Sequence, residues 1–257
     1  MCLILFAWQS HPRYPLVVAA NRDEFHDRPT AAAEFWQETP DILAGRDLQA
    51  GGTWLGVSRN GRFAAISNYR EPKYKASDLE YSRGHLVRDF LLDNSVPETY
   101  AEQLQTRGNH YRGFNILVGD PETLFYVSNR KHRPVKIDAG CHGLSNHLLN
   151  TDWPKVHIGR DRLTSVLKDE QVNPETLLEL LADRSTTTST SLSTEELQSE
   201  PERMNKRIFI DSPVYGTRSS TVLLVDNNGD MTFVERQFNA DGDPCGDSEH
   251  RLKKRCP

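Results

Sequence analysis

Cysteine is scarce in this chain: four residues in 257, at positions 2, 141, 245 and 256, with no CxxC or CxxCH spacing among them. That scarcity excludes a disulfide framework, a zinc ribbon and covalent haem attachment, and it fits a reducing cytoplasm. Long apolar runs are missing as well. The opening stretch, Cys2 to Trp8, is far too short to span a bilayer, and Gln9-Ser10-His11-Pro12 follows where a secretory signal has its small-residue cleavage site. Positive charge is not in excess. With 31 Lys and Arg against 36 Asp and Glu, the formal charge is −5, which excludes the basic footprint of a nucleic-acid binder. Nine histidines are scattered without HExxH spacing, and no GxGxxG loop opens a helix. No metal and no cofactor are expected.

What is present reads as one soluble α+β domain over residues 1–238 with a polar, loosely held tail at 239–257. Hydrophobic residues make up 37% and charged residues 26% of the chain, ordinary for a globular protein. Two apolar runs, Cys2–Trp8 and Leu16–Ala20, are split by QSHPRYP, whose prolines suit a turn. In TWLGVSRNGRFAAISN, Asn60-Gly61 marks a hairpin. Further strands are expected at Phe114–Val118, Leu124–Ser128, Val135–Ile137, Ile208–Ile210, Thr221–Val225 and Met231–Val234, with turns at Gly119-Asp120-Pro121 and Asn227-Asn228-Gly229.

Helices fall in the middle of the chain. SRGHLVRDFLLD puts Leu86, Val87, Phe90 and Leu91 on one face, and VPETYAEQLQTRG stops at Gly108. TDWPKVHIGRDRLTSVLKD and NPETLLELLADR carry Asp152 and Asn173 as candidate caps. The stretch STTTSTSLST, 185–194, reads as a mobile polar loop. Strands, helices, strands, helices, strands in that order favour antiparallel sheets with helices packed outside them.

Cys2 is the oddest residue, because a chain end gains little from burying a thiol. An initiator methionine ahead of a small residue is commonly removed. Cys2 would then carry a thiol and an α-amine whose reference pKa lies near ~7.7–8.0, a nucleophile and a base in one residue. Three further segments bear chemistry. Asn21-Arg22-Asp23-Glu24 ends the second apolar run, where an arginine can hold a thiolate or a substrate carboxylate and an acid can orient the cysteine amine. Asn146, in CHGLSNHLLNTDWPKV, can donate to an oxyanion. Arg218 leads into a strand in YGTRSSTVLLV. AGGTWLG, 50–56, suits a flexible rim or a close backbone approach with Trp54 packed nearby.

The blocks MCLILFAW, LVVAANRDEF, AGGTWLGVSRNGRFAAISNYRE, HGLSNHLLNTDWPKV and YGTRSSTVLLV resemble those of the NRDE family, the transport and Golgi organisation protein family, from residue 2 to about 236. That family is similar to N-terminal-nucleophile (Ntn) hydrolases of the penicillin V acylase and bile-salt hydrolase type. The resemblance implies an αββα sandwich of two antiparallel sheets, with Cys2 as the processed nucleophile. It also implies Asn146 as an oxyanion donor and Arg218 as the later active-site arginine. The acylases carry Arg-Asn-x-Asp where this chain has Asn-Arg-Asp-Glu. Arg22 and Asp23 are therefore the first choice, and Asn21 and Glu24 stand in reserve. With Trp54 and Asn68, those two are candidates for substrate binding.

Two functions follow. One is an Ntn-type cysteine amidohydrolase or acyltransferase, cytoplasmic, acting on a small-molecule amide. The alternative is a non-catalytic binding or trafficking protein on the same scaffold, concerned with haem handling or secretory and Golgi organisation. Cys256-Pro257 resembles the Cys-Pro dipeptide of some haem-sensing proteins.

Overall fold

The computed structural model describes residues 2–71, 81–185 and 206–254. Along the chain come β1 (Cys2–Trp8), β2 (Leu16–Phe25), β3 (Thr30–Trp36), β4 (Thr39–Asp47), β5 (Leu55–Ser58), β6 (Phe63–Asn68), α1 (Gly84–Leu92) and α2 (Pro97–Arg107). They are followed by β7 (Phe114–Gly119), β8 (Leu124–Ser128), β9 (Val135–Lys136), β10 (Gly140–Leu144), α3 (Pro154–Val166), α4 (Pro174–Leu181), β11 (Tyr215–Val225), β12 (Met231–Phe238) and β13 (Pro244–Leu252).

The strands form two antiparallel sheets, ordered β10-β1-β2-β11-β12-β13 and β3-β4-β5-β6-β7-β8-β9. β1 and β2 are central strands, which explains their unbroken apolar runs: both faces are covered. Successive side chains alternate between the two. Leu3, Leu5, Val17 and Ala19 pack outward against Leu163, Leu177 and Leu181 of α3 and α4. Ile4, Phe6, Val18 and Ala20 point inward against Leu43, Leu55, Phe63 and Leu117 of the second sheet. The outer face of that sheet, with Ile42, Ala64 and Ile116, is covered by Leu86, Phe90, Tyr100 and Leu104 of α1 and α2. The result is the αββα sandwich. Close contact of α3 with β1 depends on Gly159, where a Cβ would sit 2.7 Å from the Leu5 side chain.

The Asn60-Gly61 hairpin joins β5 to β6, with Gly61 at φ +90°. α1 buries Leu86, Val87, Phe90 and Leu91, and α2 ends at Gly108. Asn173 caps α4 by accepting from the Glu175 N–H. Asp152 does not cap α3; Trp153 holds that position without a side-chain cap.

Other expectations need correction. Residues 208–210 are buried but form no strand, because their polar groups are taken individually. Ile208 O accepts from the Asn21 amide, the Phe209 N–H donates to Asp183 O, and Ile210 pairs with Thr217 through both its N–H and its carbonyl. The tail is not loose throughout: residues 244–252 pair with β12 as an edge strand. A strand covered on one face needs few apolar residues, and Leu252 with the His250 bond to Ala33 O anchors it. β3, β4 and β10 also lacked an apolar signal. Of the polar stretch 185–194, all but Ser185 lies outside the described residues, as does Cys256-Pro257. Among the described residues no helix is long and apolar enough to cross a membrane.

Candidate active site

The register of β1 on β2 sets Cys2 opposite Arg22 and Leu3 opposite Asn21. Cross-strand partners share a face, so Cys2, Arg22 and Glu24 turn toward the space between the sheets and Asn21 turns toward the helices. Asn21 is fully committed there. Its Nδ2 donates to Leu181 O and Ile208 O, both at 2.9 Å, and its Oδ1 accepts from Ser220 at 2.6 Å. It fastens α4 and the 208–210 segment to the sheet and does not face the cleft, so its place in the reserve pair is lost.

At the open end of the two sheets lies a cleft of about 490 Å³, lined by Cys2, Arg22, Asp23, Glu24, Trp54 and Asn68 among others. The Arg22 guanidinium lies 4.2 Å over the Trp54 ring, donates to Thr30 Oγ1 at 3.1 Å and stands 3.9 Å from Glu24. Stacking and hydrogen bonding fix its plane beside the thiol. Trp54 fits because Gly45 has no Cβ, which would come within 2.4 Å of the indole. Gly52 in turn packs on the Gly84 backbone, where a Cβ would lie 2.5 Å from the carbonyl carbon. The AGG segment thus makes a close backbone approach.

Asp23 sits at the strand end, buried, with Oδ1 accepting from Thr217 Oγ1 at 2.8 Å and its carbonyl accepting from Tyr215 OH at 2.7 Å. Its backbone also acts on the Cys2 thiol and opposes the rise in its pKa. Burial pushes both the Cys2 thiol and the Asp23 carboxyl up. The Asp23 charge raises the thiol further, and Arg22 opposes both shifts. The thiol is therefore protonated at neutral pH and needs a base before it can attack.

Continuing the β1–β10 register, in which Ile4 faces Leu144, brings Asn146 opposite Cys2. Asn146 is buried, and its Nδ2 donates to Asn68 O at 2.8 Å, leaving the second hydrogen of that amide for another acceptor. A chain of polar groups holds this corner. Ser145 Oγ donates to Cys2 O at 2.8 Å, and Ser67 Oγ to Ser145 O at 2.5 Å. Asn115 Nδ2 reaches Ser67 at 3.4 Å and His147 O at 3.0 Å, and Tyr126 OH donates to Asn115 Oδ1 at 2.8 Å. Ser67 and Asn115 stand out in FAAISN and FNILVG as polar residues within apolar strands, a signal that sequence reasoning passed over.

Arg218 lies elsewhere. It occupies the bulge where the β11–β2 register slips between Thr217 and Ser219. Its Nη1 donates to the carbonyls of Phe25, His26 and Arg28. It does not line the cleft; it braces the turn after β2, and its charge acts on Arg22.

Buried ionisable groups were also missed, Lys155 and Glu235 among them. Lys155, on α3, is fully buried. Glu235 on β12 crosses to the other sheet, accepting from the Ala33 N–H at 2.8 Å and from Thr221 at 3.2 Å, and burial pushes its carboxyl up to about 7. His142 stacks on Phe6 and His147 on Trp153 and Tyr69, and neither lines the cleft. Among the described residues no three His, Cys, Asp or Glu side chains are grouped to hold a metal ion.

A profile of the family described as Transport and Golgi organisation 2 matches residues 1–240. The Transport and Golgi organization 2 homolog of Mus musculus is 34% identical over 259 residues, covering 93% of each chain. The Transport and Golgi organization protein 2 homolog of Homo sapiens is 34% identical over 262 residues, again 93% of each. Among solved structures, a mutant conjugated bile acid hydrolase from Clostridium perfringens matches with a TM-score of 0.54 at 7% identity, covering 98% of this chain and 92% of that one. A likeness at that identity speaks to the fold alone.

Proposed function

The chain belongs to the Transport and Golgi organisation 2 family, and from that premise we propose that it is an Ntn-type cysteine amidohydrolase or acyltransferase acting on a small-molecule amide outside a peptide. One observation carries the reading: the first residue of a central strand presents its thiol to an open polar cleft, between a fixed arginine and a buried aspartate. A cysteine that only filled space would face the apolar centre of the sandwich.

The chemistry follows from the positions. With residue 1 removed, the α-amine of Cys2 takes the thiol proton as the sulfur attacks the amide carbonyl carbon. The C–N π-conjugation is lost and negative charge gathers on the carbonyl oxygen, where the second Asn146 hydrogen is available to donate. Collapse of the tetrahedral intermediate breaks the C–N bond, and the leaving amine takes the proton back from the α-ammonium. Water or another amine then resolves the thioester. Asp23 receives an N–H of the α-amine and aims its lone pair at sulfur. Arg22 offers its charge to the sulfur or to an anionic group of the substrate, and Glu24, Trp54 and Asn68 shape the wall. Scattered cysteines support a cytoplasmic location, and the net negative charge speaks against a nucleic-acid partner.

Intact mass of the purified protein should show residue 1 removed, and Cys2→Ala should lower turnover across a panel of small amides by at least about 10³-fold. Retained methionine, or turnover unchanged in Cys2→Ala, overturns the mechanism. The names of the relatives, which concern transport and Golgi organisation, favour a second reading as a binding or trafficking protein. Saturable haem binding that is lost in Cys2→Ala would support it, and a silent haem titration would remove it.

A further inference from the structure

Lys155 is the second residue of α3, the helix that lies across β1 and β10. It is fully buried, and its Nζ has no hydrogen-bond acceptor among the described residues. An ammonium left dry in a core is costly, and a methionine of similar length would pack there at less cost. Burial pushes the Lys155 ammonium toward its neutral form, and neighbouring charge opposes that shift in part. Asp23 is the anion that acts on it most strongly, the Cys2 thiol comes next, and Arg70, which follows β6, opposes both. Burial raises the Asp23 carboxyl, while Lys155 pulls it back down. Gly159 packs on Leu5 of β1, so Lys155, one turn earlier in α3, lies over the start of that strand. Asp23, two residues on from Asn21 in β2, also turns to that face. The Cys2 thiol lies on the other face of the same strand end, in the cleft. The charges of β2 on the thiol's face are Arg22 and Glu24.

We propose that Lys155 is a positioning residue of the Cys2 site. Its ammonium balances the Asp23 carboxylate, so that mature Cys2 meets an acid able to orient its α-amine without the net negative charge that would hold its sulfur protonated. The part concerning the α-amine rests on the hydrolase reading. The electrostatic coupling of Lys155, Asp23 and the thiol does not, and it can be measured without any substrate.

The experiment is the pH profile of Cys2 alkylation by iodoacetamide, resolved at Cys2 by peptide mapping, in the full-length protein and in Lys155→Met, Asp23→Asn and the double variant. Lys155→Met leaves a lone carboxylate beside the thiol. Alkylation at pH 8.5 should slow about tenfold, equivalent to a midpoint about one pH unit higher. Asp23→Asn leaves a lone ammonium, and the midpoint should fall, with several-fold faster alkylation near neutrality. In the double variant the two effects should cancel, to within about twofold of the parent. A packing defect alone moves both single variants the same way and leaves the double variant worst.

Single variants shifting in one direction, a Lys155→Met profile equal to the parent, or a double variant that is not restored each overturn the proposal. Should Lys155→Met fail to fold, Asp23→Asn decides alone: a midpoint that rises or stays put is fatal to it. Failure of the hydrolase reading is separately visible, as retained methionine or absent amide turnover with the alkylation pattern intact.

Discussion

At one end of the sandwich Trp8, Leu16, Phe63, Leu124 and Val225 close around a cavity of about 110 Å³, roofed by the turns at 119–121 and 226–229. At the other end the same two sheets part around an open cleft of about 490 Å³ lined by arginines, acids and a thiol. The strands are shared and only their terminal residues differ. β1 runs from Cys2 to Trp8, and β2 from Leu16 to the Asn21-Arg22-Asp23-Glu24 signature. Strand ends are where a side chain can leave the core without breaking a ladder. One end closes on apolar side chains under a polar rim of turns, and the other is polar and open. Under the proposed function the first serves stability and the second the chemistry.

Three changes test that division, from the largest effect down. Asn146→Ala, at the polar end, should lower kcat for an amide by about 10²–10³-fold with KM little changed, as loss of an oxyanion donor does elsewhere. Steady-state kinetics on a turned-over amide decides it, and a KM effect alone would move Asn146 to substrate binding. Leu16→Ala, at the shut end, should cost about 3 kcal/mol of unfolding free energy in urea while leaving kcat per folded molecule unchanged. A loss of kcat there would break the division.

Glu235→Gln probes the wall between the sheets and should act through pH. The Glu235 carboxyl titrates near about 7 in the fold, against about 4.3 for an unperturbed glutamate. The fold therefore holds a proton that the unfolded chain has released. The parent should lose stability as pH rises from the ordinary carboxylate range through about 7, by at most about 4 kcal/mol over that window. Glutamine has no proton to lose, so its stability profile should be flatter across the same window. Equal slopes in the two proteins would show that Glu235 ionises normally.

The architecture was legible because its central strands are apolar on both faces and the four α-helices among the described residues carry apolar stripes. Leu86, Phe90, Leu177 and Leu181 were visible as core before any coordinates. β3, β10 and β13 were not, because edge strands need few apolar residues, and residues 208–210 looked like a strand because burial and pairing are different things. At the site, Cys2, Arg22 and Asp23 line the cleft together, whereas Asn146 lies opposite Cys2 by register, buried behind Asn68 and outside the cleft lining. The Asn-Arg-Asp-Glu order left open which pair faces the thiol, and the register divides both pairs, since Arg22 and Glu24 lie on the face of Cys2 while Asn21 and Asp23 lie on the other. Arg218 shares a strand with the site, yet a bulge turns it onto backbone carbonyls. Lys155 and Glu235 gave no warning, because a charged residue in sequence is presumed to be wet.

The position of β1 has one more consequence, and it concerns time. Its partners are β2, made at once, and β10, whose residues 140–144 leave the ribosome more than 130 residues later. At translation rates of about 5–20 residues per second, that interval is roughly 7–28 s. For that long the first strand has an unpaired edge and an accessible end. Trimming of residue 1, which the proposed mechanism requires, meets least obstruction within that interval, before β10 pairs beside the first strand.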